Sequence, residues 1–248
     1  MLRKRVIPIV LLDGFSVLKT INFNKRRNLG SPITVVRTYN TRNVDELIIL
    51  DIDASKDGRA IDKFTIQELA LECFMPLTVG GGIRSINDIK ALLEKGADKI
   101  AINTYALENP SFINEAATIF GSQCIVVSID VVECNNNYYI FNNGKTINDI
   151  DLFDWISKVE NLGAGEILIN NVSRDGKMEG ANVELAQKIS QLVSIPVIYA
   201  GGVSSPGNAA LVGNTSASAV AISSIFHFTN STPEDCRLAF KKLNIPVR

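Results

Sequence analysis

Apolar runs recur along the chain at Arg5 to Leu12, Glu46 to Asp53, Pro76 to Gly80, Lys99 to Asn103, Cys124 to Asp130, Glu166 to Asn171, Pro196 to Ala200 and Ala217 to Ile222. They are rich in Ile and Val and mostly continuous rather than alternating, the pattern of parallel strands buried on both faces. Between them lie stretches with helical spacing, among them Ile61 to Phe74, Ser85 to Lys95, Asn109 to Phe120, Asp151 to Leu162, Asn182 to Leu192 and Pro233 to Leu243. Ser85 with Asp88 three residues on resembles a capping box, and Asn109-Pro110 places a proline just inside a helix. Eight strands alternating with helices predict one α/β domain over residues 1–248, a (β/α)8 TIM barrel.

The pattern also repeats. Pro76-Leu77-Thr78-Val79-Gly80-Gly81-Gly82-Ile83 returns 120 residues later as Pro196-Val197-Ile198-Tyr199-Ala200-Gly201-Gly202-Val203. At the same offset Glu46-Leu47-Ile48-Ile49 matches Glu166-Ile167-Leu168-Ile169, and Ala101-Ile102-Asn103-Thr104 matches Ala221-Ile222-Ser223-Ser224. Val6 to Leu11 matches Ile125 to Asp130 at 119. Two half-barrels, about 1–120 and 121–248, are therefore expected to close onto each other, since neither alone buries its strands.

The 46% hydrophobic content is ample for such a core, and the formal net charge of -1 gives no global basic field for nucleic acid. Cys73, Cys124, Cys134 and Cys236 show neither CxxC nor His-paired spacing, so neither a metal site nor a disulfide is expected and no cofactor is implied. A reduced, cytoplasmic setting is the default expectation. The basic start Met1-Leu2-Arg3-Lys4-Arg5 leads into a short run ending at Asp13 without a long apolar core. No stretch reaches the roughly 18 apolar residues of a membrane helix.

Two segments interrupt the beat. Residues 14–30, carrying Lys19, Lys25, Arg26 and Arg27, read as a long polar connection after the first barrel strand; residues 133–148 read as a small hairpin after the fifth. Both fall on the C-terminal rim, where barrel active sites lie, and are either lids or tolerated surface loops.

Paired glycines after the third and seventh strands, Gly81-Gly82 and Gly201-Gly202, are each followed after the next strand by a small polar pair, Asn103-Thr104 and Ser223-Ser224. Exposed backbone N–H groups and hydroxyls suit a phosphate dianion, and two such clusters facing each other imply a substrate with a phosphate at each end. In Ser173-Arg174-Asp175-Gly176, partly echoed by Ser55-Lys56-Asp57-Gly58, Gly176 can lend its N–H to the second phosphate. Asp175 either orients the loop, contacts a sugar hydroxyl or caps a turn. His227, the only histidine, reads as a packed helix-start residue, and Trp155 as helix–barrel packing.

These features resemble a known family along nearly the whole chain. Lys4-Arg5-Val6-Ile7, Asp45-Glu46-Leu47, Thr78 to Ile83, Gly96-Ala97-Asp98-Lys99, Ile102-Asn103-Thr104, Phe120-Gly121-Ser122-Gln123, Ile129-Asp130, Gly163 to Leu168, Arg174-Asp175-Gly176 and Phe226-His227-Phe228 are similar to the cyclase (HisF) subunit of imidazole glycerol phosphate synthase. The resemblance implies a lyase-type cyclase that binds a bis-phosphate ribulosyl substrate. It also implies a HisH-like glutaminase partner on the N-terminal barrel face, forming a glutamine amidotransferase complex with an ammonia channel. Arg5, Glu46, Lys99 and Glu166 match the family's gate residues, Asp98 a partner-facing position, and Lys19 a lid residue that reaches substrate.

Two aspartates do the acid–base work in that family, and Asp130 matches the second. Leu11 stands where the first is expected, and the nearest carboxylate is Asp13. Leucine carries no proton. Either Asp13 swings in or the two-carboxylate ring closure is not the reaction. A paralogous branch linked to acetamidino modification of polysaccharide sugars resembles the chain more closely in Arg5-Val6-Ile7-Pro8, Leu11-Leu12, Leu18-Lys19-Thr20, Val44 to Ala54 and Glu72 to Leu77. It implies ammonia supply to a separate ATP-dependent sugar amidotransferase. Histidine biosynthesis is the alternative, and a non-catalytic ammonia conduit the third reading.

Overall fold

The computed structural model describes residues 3–23, 25–135 and 137–248. Asn24 of the first expected lid, Asn136 of the second, and Met1 and Leu2 of the basic start lie outside the described residues. The strands are β1 (Arg5–Leu12), β2 (Val17–Ile21), β3 (Lys25–Gly30), β4 (Leu47–Asp51), β5 (Leu77–Gly80), β6 (Lys99–Ile102), β7 (Ile125–Cys134), β8 (Asn137–Asn142), β9 (Lys145–Ile147), β10 (Glu166–Asn171), β11 (Val197–Ala200) and β12 (Ala219–Ile222). The helices are α1 (Pro32–Thr41), α2 (Lys63–Leu71), α3 (Ile86–Glu94), α4 (Thr104–Glu108), α5 (Ser111–Phe120), α6 (Leu152–Asn161), α7 (Val183–Leu192), α8 (Pro206–Gly213), α9 (Ser224–Phe228) and α10 (Pro233–Lys242).

Eight strands pair in parallel in the order β1-β4-β5-β6-β7-β10-β11-β12, and β12 returns to β1 through Arg5↔Ala219 to Pro8↔Ile222. The chain is a closed (β/α)8 barrel. Continuous apolar strands make two cores, because one face of each strand looks outward to helices and the other to the axis. Ile7, Ile9, Leu11, Ile48, Val126, Leu168 and Ile198 fill the axis, and Ala101, Ala200, Ala219 and Ala221 fit where space is tight. Trp155 packs in the outer layer.

Local signals start the helices as their chemistry requires. Ser85 Oγ accepts from Asp88 N at 3.1 Å while the Asp88 carboxylate accepts from Ser85 N at 2.9 Å. Pro110 stands just before α5 rather than inside it, already in helical conformation. The segment after β1 departs from the expected polar connection: β2 folds back antiparallel on β1 through Leu11↔Leu18 and Leu12↔Val17, and β3 pairs with β2. Val17, Leu18, Lys19 and Thr20 are buried. The physical reason is that β2 extends the apolar wall of β1 and docks onto the loop after β10. The second segment is the expected hairpin, with β7 running on to Cys134 and pairing with β8. Its β8–β9 turn, Asn143-Gly144, has both residues at positive φ, as a two-residue hairpin demands.

Candidate active site at the barrel mouth

Asp130 stands on β7 between β6 and β10, and both neighbours reach it. Asn103 Nδ2 donates to its Oδ2 at 2.8 Å, and Asn170 Nδ2 donates to its Oδ1 at 3.3 Å. Burial in the mouth pushes the carboxyl up to about 7. The two amides oppose this by favouring the ionised form, and the Asp175 charge adds to the rise. A carboxyl held near neutrality can both give and take a proton at the pH of the cell.

Its counterpart in the first half is aliphatic. Asp130 is the ladder partner of Asn170, and Leu11 is the ladder partner of Leu50, 120 residues before Asn170. Leu11 lines the mouth with Asp130. Asp13, the other expected acid, is not brought to this site. Its Oδ1 accepts from Ser16 N at 2.9 Å, closing the turn between β1 and β2, and it lines an outer cleft with Asp57, Arg59 and Lys63. Two residues past Leu11, β1 has ended and the chain has turned outward.

The two glycine clusters occupy equivalent places but unequal space. A side chain at Gly81 (φ 134°) would meet Asp51 O at 2.6 Å, and one at Gly201 (φ 105°) would meet Asn171 O at 2.5 Å. Close packing therefore already requires these glycines, and their presence alone says little about an anion. What remains for an anion is the N–H groups of Gly82 and Gly202, which find no protein acceptor among the described residues. Thr104 Oγ1 donates to Asn142 Oδ1 at 3.0 Å, tying the second lid to the first cluster, and Asn103 is committed to Asp130. Gly81, Gly82, Asn103 and Thr104 open into a cavity of about 410 Å³, whereas Gly201, Gly202, Ser223, Ser224, Asp175 and Gly176 border a space of about 30 Å³.

The narrow side is closed by the first lid. Lys19 Nζ lies 3.2 Å from Asp175 Oδ1, Thr20 Oγ1 donates to Asp175 Oδ2 at 2.8 Å, and Asn22 N donates to Asp175 O at 3.1 Å. Behind it is a network that the sequence reading missed. Glu133 accepts from Arg174 Nε at 2.8 Å, Asn182 Nδ2 at 3.0 Å and Asn171 Nδ2 at 2.5 Å. Burial opposes the Glu133 charge, but these donors outweigh it and hold the carboxyl down at about 2. Adjacency of Glu133 to the fifth strand was the available signal; its partners lie about 40 residues away in sequence and gave none. His227 packs against Tyr39, and burial lowers it to about 4.

At the opposite end of the barrel four charges close a ring. Arg5 bonds Glu46 at 2.8 Å and Glu166 at 2.5 Å, and Lys99 bonds Glu46 at 3.2 Å and Glu166 at 2.9 Å. Burial works against the Glu46 carboxylate, yet Arg5 and Lys99 more than offset it and its pKa lies below the ordinary glutamate value. Asp98 is exposed beside this ring, and one carboxylate oxygen accepts from Leu77 N at 2.8 Å.

Residues 5–232 match a family model described as histidine biosynthesis protein. The chain is 44% identical over 248 residues, covering 100% of this chain and 99% of the relative, to a Campylobacter jejuni protein provisionally named imidazole glycerol phosphate synthase subunit hisF2. It is 40% identical, over the full length of both chains, to the imidazole glycerol phosphate synthase subunit HisF of Flavobacterium psychrophilum. A Vibrio vulnificus protein, also provisionally named hisF2, is 46% identical over 82% of this chain and 75% of its own. Among the described residues, no helix is long and apolar enough to cross a membrane.

Proposed function

The chain belongs to the histidine biosynthesis protein family, and on that premise we propose that it is an ammonia-dependent synthase subunit, working with a glutaminase, that serves acetamidino modification of a sugar. The observation that carries the choice is Leu11, which faces the mouth at the register where a second carboxylate would complement Asp130. A two-carboxylate ring closure needs an acid and a base on opposite sides of the substrate, and an aliphatic side chain supplies neither.

The rest of the barrel is consistent with ammonia delivery from the N-terminal face. Arg5, Glu46, Lys99 and Glu166 form the gate: paired, they block the axis; separated, they leave polar groups to hand a small neutral molecule inward. Beyond the ring the axis is packed with Ile7, Ile48, Val126 and Leu168, an apolar interior that opposes ammonium far more than neutral ammonia. It ends near Asp130, which accepts or returns the proton of the amination step, while the rim clusters hold a phosphorylated ligand. Asp98 lies on the face where the glutaminase docks.

Histidine biosynthesis is the second reading, favoured by the near-neutral titration of Asp130 and the Flavobacterium relative. Turnover of the ribulosyl aminoimidazole carboxamide substrate with ammonium salt separates the two. The sugar reading expects ring closure at least about a hundredfold below that of a cyclase with both acids, the loss that follows removal of one general acid or base. Ring closure at a normal rate, abolished by Asp130→Asn, would overturn it in favour of the cyclase.

A further inference from the structure

The two cradles differ by more than tenfold in free space, about 410 Å³ against about 30 Å³. The larger volume is that of a typical small-ligand pocket, whereas the smaller accommodates on the order of one or two waters. The narrow cradle is narrow because the first lid sits in it. Both carboxylate oxygens of Asp175 are taken, by Lys19 and Thr20, and its carbonyl by Asn22. Lys19, the cation best placed to meet a second phosphate, is buried with its charge already neutralised by Asp175.

The wide cradle is furnished differently. Around Gly82 and Thr104 stand Arg26, already paired with Asp53, Arg84, already paired with Glu108, and Lys56, which makes no ion pair among the described residues. The floor is Leu11, Leu50 and Ile52, and Phe23 of the first lid meets Phe141 of the second edge-on, with ring centroids 6.4 Å apart. Asp130 and Asn170 line the far wall. The cation without an ion-pair partner among the described residues therefore stands on this side, with an apolar shelf running from it to the proton carrier.

We propose that this chain holds its ligand by a single phosphate in the first-half cradle, as a phosphate monoester whose sugar or heterocyclic ring lies over Leu11 and Leu50 toward Asp130. The second cradle is the seat of the lid. This rests on the reading of the rim as a site for a phosphorylated ligand and departs from a substrate anchored at both ends.

Calorimetric titration of the full chain with ribose 5-phosphate, adenosine 5′-monophosphate and ribulose 1,5-bisphosphate tests it. A second phosphate held by charge-assisted hydrogen bonds adds about tenfold or more in affinity, so the bisphosphate is expected to gain less than about tenfold over ribose 5-phosphate. Lys56→Ala should weaken ribose 5-phosphate severalfold, while Ser223→Ala and Ser224→Ala change it by less than about twofold. Lys19→Met, which does not touch the first cradle, should leave the bisphosphate gain below about tenfold, because Thr20 and Asn22 still hold the lid on Asp175. Tighter binding of the nucleotide than of ribose 5-phosphate would assign the ring to a heterocycle, and the reverse to a sugar; either supports one-ended anchoring. A bisphosphate preference of about tenfold or more that Ser224→Ala abolishes overturns the inference and leaves the phosphorylated-ligand reading intact. Binding of none of the three, with the chain folded by circular dichroism, overturns both.

Discussion

The first and second halves carry the same elements at almost constant offset: α1 and α6, α3 and α8, and α4 and α9 each begin 120 residues apart. They agree where backbone geometry leaves no choice, as at Gly81 against Asp51 and Gly201 against Asn171. They differ at the positions that carry the proton at the mouth and at part of the ring, although Glu46 and Glu166 match in the ring and Ala101 and Ala221 match on the axis. Leu11 and Leu50 of the first half answer Asp130 and Asn170 of the second, and three of the four ring charges, Arg5, Glu46 and Lys99, come from the first half while only Glu166 comes from the second. Ala219 is the ladder partner of Arg5. Packing tolerates one template used twice, whereas proton transfer at one centre and a single gate on one axis need unequal halves.

That comparison breaks most sharply at the mouth. Asp130→Asn should lower partner-dependent amidation by about 10²–10⁴-fold, whereas Leu11→Ala at the equivalent place should change it by less than about tenfold, both measured as steady-state kcat/KM. An unaffected Asp130→Asn would point to a conduit. At the base, Glu166→Ala removes the second half's only contribution and leaves Arg5 and Lys99 short of a partner. A loss of about 3–5 kcal/mol in urea unfolding is expected, the cost of breaking a buried charge network by removing one member.

Two carboxyls three residues apart on β7 should then give opposite slopes of stability with pH. The Glu133 carboxyl lies at about 2 when folded, below its unfolded value. Its contribution is present above the unfolded value near 4.3 and is lost as pH falls toward 2, so Glu133→Gln should flatten the acid limb and cost about 1–3 kcal/mol at pH 7. Asp130 at about 7 lies above its unfolded value, so folding takes up a proton between about 4 and 7 and stability declines as pH rises through that window. Asp130→Asn should remove that decline and leave the Glu133 limb in place. The smallest effect is expected at the first lid. Lys19→Met should cost about 1 kcal/mol or less, because Thr20 and Asn22 still hold Asp175, and the change is read as a shift in the urea midpoint.

The eight barrel strands and the half-barrel spacing were legible because continuous Ile and Val runs and helical spacing are local signals, and β1 and β10 were read to their ends. The glycine turns were legible by position at strand ends, whereas Asp130 and the four ring residues were picked out by the resemblance to the cyclase subunit. The first lid was not, since Val17 and Leu18 look like loop residues until β1 offers them an edge to pair with. Asp13 misled for the complementary reason: one turn of chain reverses the direction of a side chain two residues away.

The order of strands and helices, the repeat, and which residue types stand at each strand end follow from the sequence by itself, because periodicity and turn chemistry act over a few residues. Which charges meet, as Arg5 meets Glu166 across 161 positions, and which cradle is open, were decided only when the sheet closed and the lid settled on Asp175. Distances between groups far apart in the chain are properties of the packed barrel, and no local pattern encodes them.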